Sequence, residues 1–110
     1  MTEAVMQIII HGGDARSSSI KAIRSARDGD FTKANALIEQ ARAAAQKAHE
    51  AQTEFIQAEA RGKRTDVSLL MVHAQDHIMN ALTVKDLAEE MIEEISMRYK
   101  LQQKLGVELV

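Results

Sequence analysis

From Phe31 to Arg61 the sequence contains neither glycine nor proline, and a second such stretch runs from Lys63 to Leu105. Relative to alanine, a glycine inside a helix costs about 1 kcal/mol and a proline about 3 kcal/mol, so spans that exclude both favour helix throughout. Alanine, the strongest helix former, occurs seventeen times, and the only aromatics are Phe31, Phe55 and Tyr99. A core made from such residues requires helix backbones to approach closely. The expected fold is all-α: an antiparallel three-helix bundle with long helices over about 2–27, 31–61 and 66–105, forming a single domain across residues 1–110.

In the first segment Val5, Ile8, Ile9, Ile20 and Ile23 recur at spacings that a helix gathers into one stripe. Gly12-Gly13 interrupts that stripe. Helix-tolerant residues resume at once, which predicts close approach of another helix there and not a break. Ser17-Ser18-Ser19 reads as a solvated face. In Asp28-Gly29-Asp30 the glycine suits a left-handed cap and Asp30 the start of the next helix, predicting an antiparallel hairpin. The second helix carries a seam of Phe31, Ala34, Ile38, Ala41, Ala45, Ala48, Gln52 and Phe55 in steps of three and four. Gln52, its polar member, is expected to hydrogen-bond a neighbouring helix. Gly62 marks the second turn, with Thr65 or Asp66 expected to cap the third helix.

The third helix divides in two. In its second half Leu87, Met91, Ile95 and Tyr99 are assigned to the bundle side, and Glu89, Glu90, Glu93, Glu94 and Lys100 to water. In its first half Leu70, His77, Ala81 and Val84 are assigned inward, yet Met71, Val72, Ile78, Met79 and Leu82 form a second apolar side. Three helices of one chain cannot cover a helix that is apolar all round, so this half is expected to mediate self-association.

With 14 basic and 16 acidic residues, nothing marks a phosphate-backbone footprint, and no nucleic-acid partner is expected. Apolar runs are far shorter than a bilayer span, so no membrane insertion is expected. Met1-Thr2-Glu3 lacks the basic start of a signal peptide. A soluble intracellular protein is the expectation.

Chemistry concentrates in Met71–Asn80, where His73, Asp76, His77 and Asn80 fall within about 100° of one another on a helix. Polar groups in an apolar helix cost desolvation unless paired, bound or used. Histidines at i and i+4 around a carboxylate suit a metal, although the glutamate of a zinc-protease motif and all cysteine ligands are missing. Acid–base catalysis with Asp76 orienting an imidazole is a second possibility, without an adjacent serine or cysteine nucleophile. The third makes histidine the nucleophile towards a phosphoryl group, with His77 as a donor one turn along. Gln75 projects roughly 200° from His73 and serves only a site completed by another subunit. His11 and His49 read as satisfied core residues.

His73-Ala74-Gln75-Asp76-His77, preceded by Val67-Ser68-Leu69-Leu70-Met71-Val72 and followed by Ile78-Met79, resembles the active-site motif of the enzyme IIA component of the lactose/cellobiose class of bacterial phosphotransferase systems. Gly13-Asp14-Ala15-Arg16, Gly29-Asp30-Phe31, and Ala48-His49 with Gln52-Thr53 resemble that family's other recurrent segments, in the same order. The resemblance implies a cytoplasmic phosphocarrier in sugar uptake. His73 would take a phosphoryl group from the histidine-containing phosphocarrier protein and pass it to a cysteine of the IIB component. It also implies a homotrimer with active sites between subunits, a divalent metal ion, Mg2+, held by Asp76 at the threefold axis, and His77 and Gln75 as phosphoryl-stabilising residues. Ala74 resembles the cellobiose and N,N'-diacetylchitobiose branch, where the lactose branch usually has glycine. The competing reading is a non-catalytic helical trimer with a structural metal.

Overall fold

Two turns built alike set the topology. Helix α1 (Thr2–Arg27) ends where the Asp30 N–H donates to the Ser25 carbonyl and the Gly29 N–H to that of Ala26, both at 2.9 Å. Gly29 takes φ +81°, the left-handed conformation this pair of bonds needs. Asp30 then caps α2 (Phe31–Ala60), its carboxylate accepting the Lys33 N–H at 3.1 Å. At the far end Lys63 and Gly62 donate to Ala58 and Glu59, both at 3.0 Å, with Gly62 at φ +85°.

The computed structural model describes residues 2–63 and 66–106. Helix α3 (Leu69–Leu105) begins three residues later than the expected 66, and α2 stops at Ala60, one residue before the expected 61. Ser68 caps α3, its hydroxyl accepting the Met71 N–H at 3.1 Å, so Asp66 is not the cap; Thr65 lies outside the described residues. Serine and aspartate cap about equally well, and propensity alone does not rank them. The bundle is all-helical among the described residues and measures 62 × 19 × 19 Å. No described helix is long and apolar enough to cross a membrane.

The core has three layers. Ala22, Ala26, Ala34, Ile38, Ala88 and Ile92 pack near the first turn, where Phe31 meets Tyr99 edge-on at 5.5 Å. Ala15, Ala44, Ala45 and Ala81 form the middle, and Val5, Ile8, Ala48, Ala74 and Ile78 the far end. The largest fully enclosed side chains are Ile8, Ile78 and Ser19, so the backbones are drawn together around small groups. The α2 seam matches the expected one, with Phe31 and Phe55 half-buried at its ends.

Two assignments are corrected. Ser18 and Ser19 are buried and only Ser17 is exposed. The Ser19 hydroxyl donates to the Ala15 carbonyl at 2.6 Å and that of Ser18 to Asp14 Oδ1 at 3.1 Å, so their own helix satisfies them and burial is cheap. On α3 the inward seam is Ala74, Ile78, Ala81, Ala88 and Ile92, while Leu70, Leu87 and Met91 are exposed and His77 and Val84 half-buried. Ile78, expected outward, is 0 % exposed. The close spacing of the helices selects alanine for the seam and leaves larger side chains outside.

Helix α1 runs unbroken through Gly12-Gly13, as expected, and α3 packs against it there. A Cβ on Gly12 would lie 3.5 Å from His77 Cδ2 and 3.6 Å from Ile78 Cα. At the glycine pair α3, and His77 in particular, thus packs against α1 at distances that would still admit a Cβ.

Candidate functional site

The histidine pair sits in the second and third turns of α3. His73 is exposed and borders a shallow depression with Leu69 and Leu70. His77, one turn on, is half-buried, and its ring centroid lies 5.5 Å from that of His73 with the planes tilted by 36°. Its Nε2 lies 3.4 Å from where a Gly13 Cβ would stand. The buried seam positions Ala74 and Ile78 fix this arrangement by turning the helix so that His73 points out and His77 sits at the α1 edge. An imidazole held in the open beside a second imidazole suits nucleophilic exchange with a large partner better than a sealed reaction chamber.

Of the sequence-predicted residues only Gln75 projects to the side of α3 away from His73, while Asp76 lies between the two. Gln75 and Asp76 line a cleft of about 610 Å³ between α2 and α3, with Gln52, Phe55 and Met79. Gln52 Nε2 donates to Gln75 Oε1 at 2.9 Å, and Asn80 Nδ2 donates to Asp76 Oδ1 at 3.2 Å. No described group of three or more histidine, aspartate or glutamate side chains comes together as a metal site within the single chain. Asp76 offers an exposed carboxylate, a hard oxygen donor of the type that Mg2+ prefers. A carboxylate of this kind can contribute one oxygen ligand to a cation site.

His49 is exposed on α2, which corrects its expected core placement, and His11 is half-buried. Sequence reasoning missed a second groove, in which Gly13, Arg16, Ser17, Lys21 and Arg24 of α1 flank His77. Arg16, Lys21 and Arg24 form no ion pair among the described residues. Their spacing along one helical face was the available signal. Gln52 was expected to bond a neighbouring helix, and its partner, Gln75, emerges only from the packing.

An antiparallel three-helix bundle with an exposed His73 beside a half-buried His77 on its third helix defines the class, and comparison supplies the family. The profile described as "PTS system, Lactose/Cellobiose specific IIA subunit" matches residues 3–96. The chain belongs to this IIA family of the phosphotransferase system. It is 53 % identical over 93 residues to the lichenan-specific phosphotransferase enzyme IIA component of Bacillus subtilis, covering 84 % of each chain. It superposes on the cellobiose-specific enzyme IIA of Bacillus anthracis with a TM-score of 0.86 and 42 % identity, covering 89 % of this chain and 90 % of that one. The Escherichia coli N,N'-diacetylchitobiose IIA component, solved in complex with HPr, gives 0.76 and 39 %, covering 89 % and 95 %.

Proposed function

We propose that this chain is the phosphocarrier of a cellobiose- or chitobiose-type sugar uptake system, working in the cytoplasm. A nitrogen of the His73 imidazole attacks the phosphorus of the phosphohistidine on HPr; the donor's N–P bond breaks as the new one forms. A cysteine thiolate of the IIB component then attacks the same phosphorus, forming an S–P bond and releasing neutral His73. The observation carrying this reading is the exposed His73 beside half-buried His77 on an apolar surface. The likeness to a IIA component solved with HPr supports the choice of donor.

The apolar outer face of α3 supports a homotrimer. Leu69 is 86 % exposed and Val72 52 %, and both flank His73 and Asp76 in the helix. At a threefold axis three Asp76 carboxylates repel one another. They would hold a divalent cation, Mg2+, which supplies charge neutralisation and no chemical step. Because Gln75 and His73 lie on different sides of α3, Gln75 serves the His73 of a neighbouring subunit. There its amide and the His77 imidazole hold the phosphoryl oxygens.

A reconstituted relay tests the function. Phosphoenolpyruvate, enzyme I, HPr and a matched IIB protein should deliver phosphate to the IIB cysteine only when this chain is added. Delivery at an equal rate with His73→Gln would overturn the assignment.

A further inference from the structure

We infer that Gln52 of α2 is a positioning residue that sets which face of the Gln75 amide meets the phosphoryl group. The inference rests on the phosphoryl-holding role proposed above for Gln75. Gln52 is only 7 % exposed and stands in an otherwise alanine-rich seam, where an apolar residue would pack without a hydrogen-bond requirement. Its Nε2 donates to Gln75 Oε1 at 2.9 Å and lies 3.8 Å from Met79 Sδ, so both N–H groups of this amide have acceptors.

The consequence lies in Gln75. A glutamine amide has one accepting end and one donating end. With Oε1 engaged by Gln52, the end left for the cleft is Nε2 with its two N–H donors. A phosphoryl group offers only acceptor oxygens and carries close to two negative charges near neutral pH. The amide as held presents donors to it, whereas the reversed amide presents lone pairs. Gln52 thus acts through Gln75, without touching the phosphoryl group.

Gln52→Glu preserves size but offers only acceptors, so Gln75 turns its N–H groups inward and its carbonyl outward. We expect the rate of phosphoryl transfer from HPr to His73 to fall at least tenfold, with oligomeric mass unchanged. In a Gln75→Ala background, the same Gln52→Glu change should produce no further fall, since the group it orients is gone. Wild-type transfer by Gln52→Glu, or an equal fall in both backgrounds, would overturn the inference. Should Gln52→Glu fail to fold, Gln52→Met gives the same comparison: it frees the Gln75 amide to turn, and an expected threefold fall must vanish in the Gln75→Ala background. An unchanged rate in Gln52→Met would count against the positioning role. Failure of the wild-type chain to accept phosphate would overturn the underlying functional reading, an outcome distinct from any difference between variants.

Discussion

At the scale of single residues, the contact between Gly12 and α3 is close but leaves room for a methyl group. A Cβ at Gly12 would meet His77 Cδ2, Ile78 Cα and the His77 carbonyl at 3.5 to 3.7 Å, ordinary packing distances. Glycine inside a helix costs about 1 kcal/mol relative to alanine. Gly12→Ala is therefore expected to raise the thermal midpoint by about 4 °C or more; a lower midpoint would show that the helices are closer than described. That α1 continues through the glycine pair was legible from the residues that follow it. That His77 is what packs there was not, because nothing local in the sequence specifies which helix approaches.

At the scale of elements, α3 depends on its cap. Ser68→Ala removes the acceptor for the Met71 N–H and is expected to cost about 1 kcal/mol. Amide exchange should accelerate in the first turn, at Leu70 to Val72, just ahead of His73; unchanged exchange there would mean that water replaces the cap. The middle layer gives the complementary test. Ala81 is 1 % exposed among Ala15, Ala44 and Ala45, and Ala81→Leu should cost about 1–3 kcal/mol by overpacking. The urea midpoint should fall at constant slope, and an unchanged midpoint would mean that the layer has slack. The α2 seam was legible because its step pattern coincides with its apolar and small residues. The α3 seam was not, because periodicity weights large side chains. Here helices drawn together by alanine bury Ala74, Ala81 and Ala88 and leave Leu87 and Met91 outside.

At the scale of the molecule, fourteen large apolar residues among those described are exposed on the outside of the bundle. Leu69, Val72, Met79 and Ile56 are exposed near the histidine end, the kind of apolar cluster that marks an interaction surface. This supports subunit association around α3. For the proposed trimer, Asp76→Leu is expected to keep the assembly and abolish Mg2+ binding by calorimetry, because an apolar side chain removes the carboxylate repulsion; monomers in sedimentation would contradict the proposed axial placement. The motif around His73 and the projection of Gln75 away from it were both readable in the sequence, but that Gln75 meets Gln52 of α2 needed the bundle to be built. The most direct test of the phosphocarrier role is intact mass after incubation with phosphoenolpyruvate, enzyme I and HPr. The expected result is an acid-labile gain of roughly 80 Da on this chain, absent from a folded His73→Gln variant. No gain with competent donors, or an equal gain on the variant, would contradict His73 as the carrier.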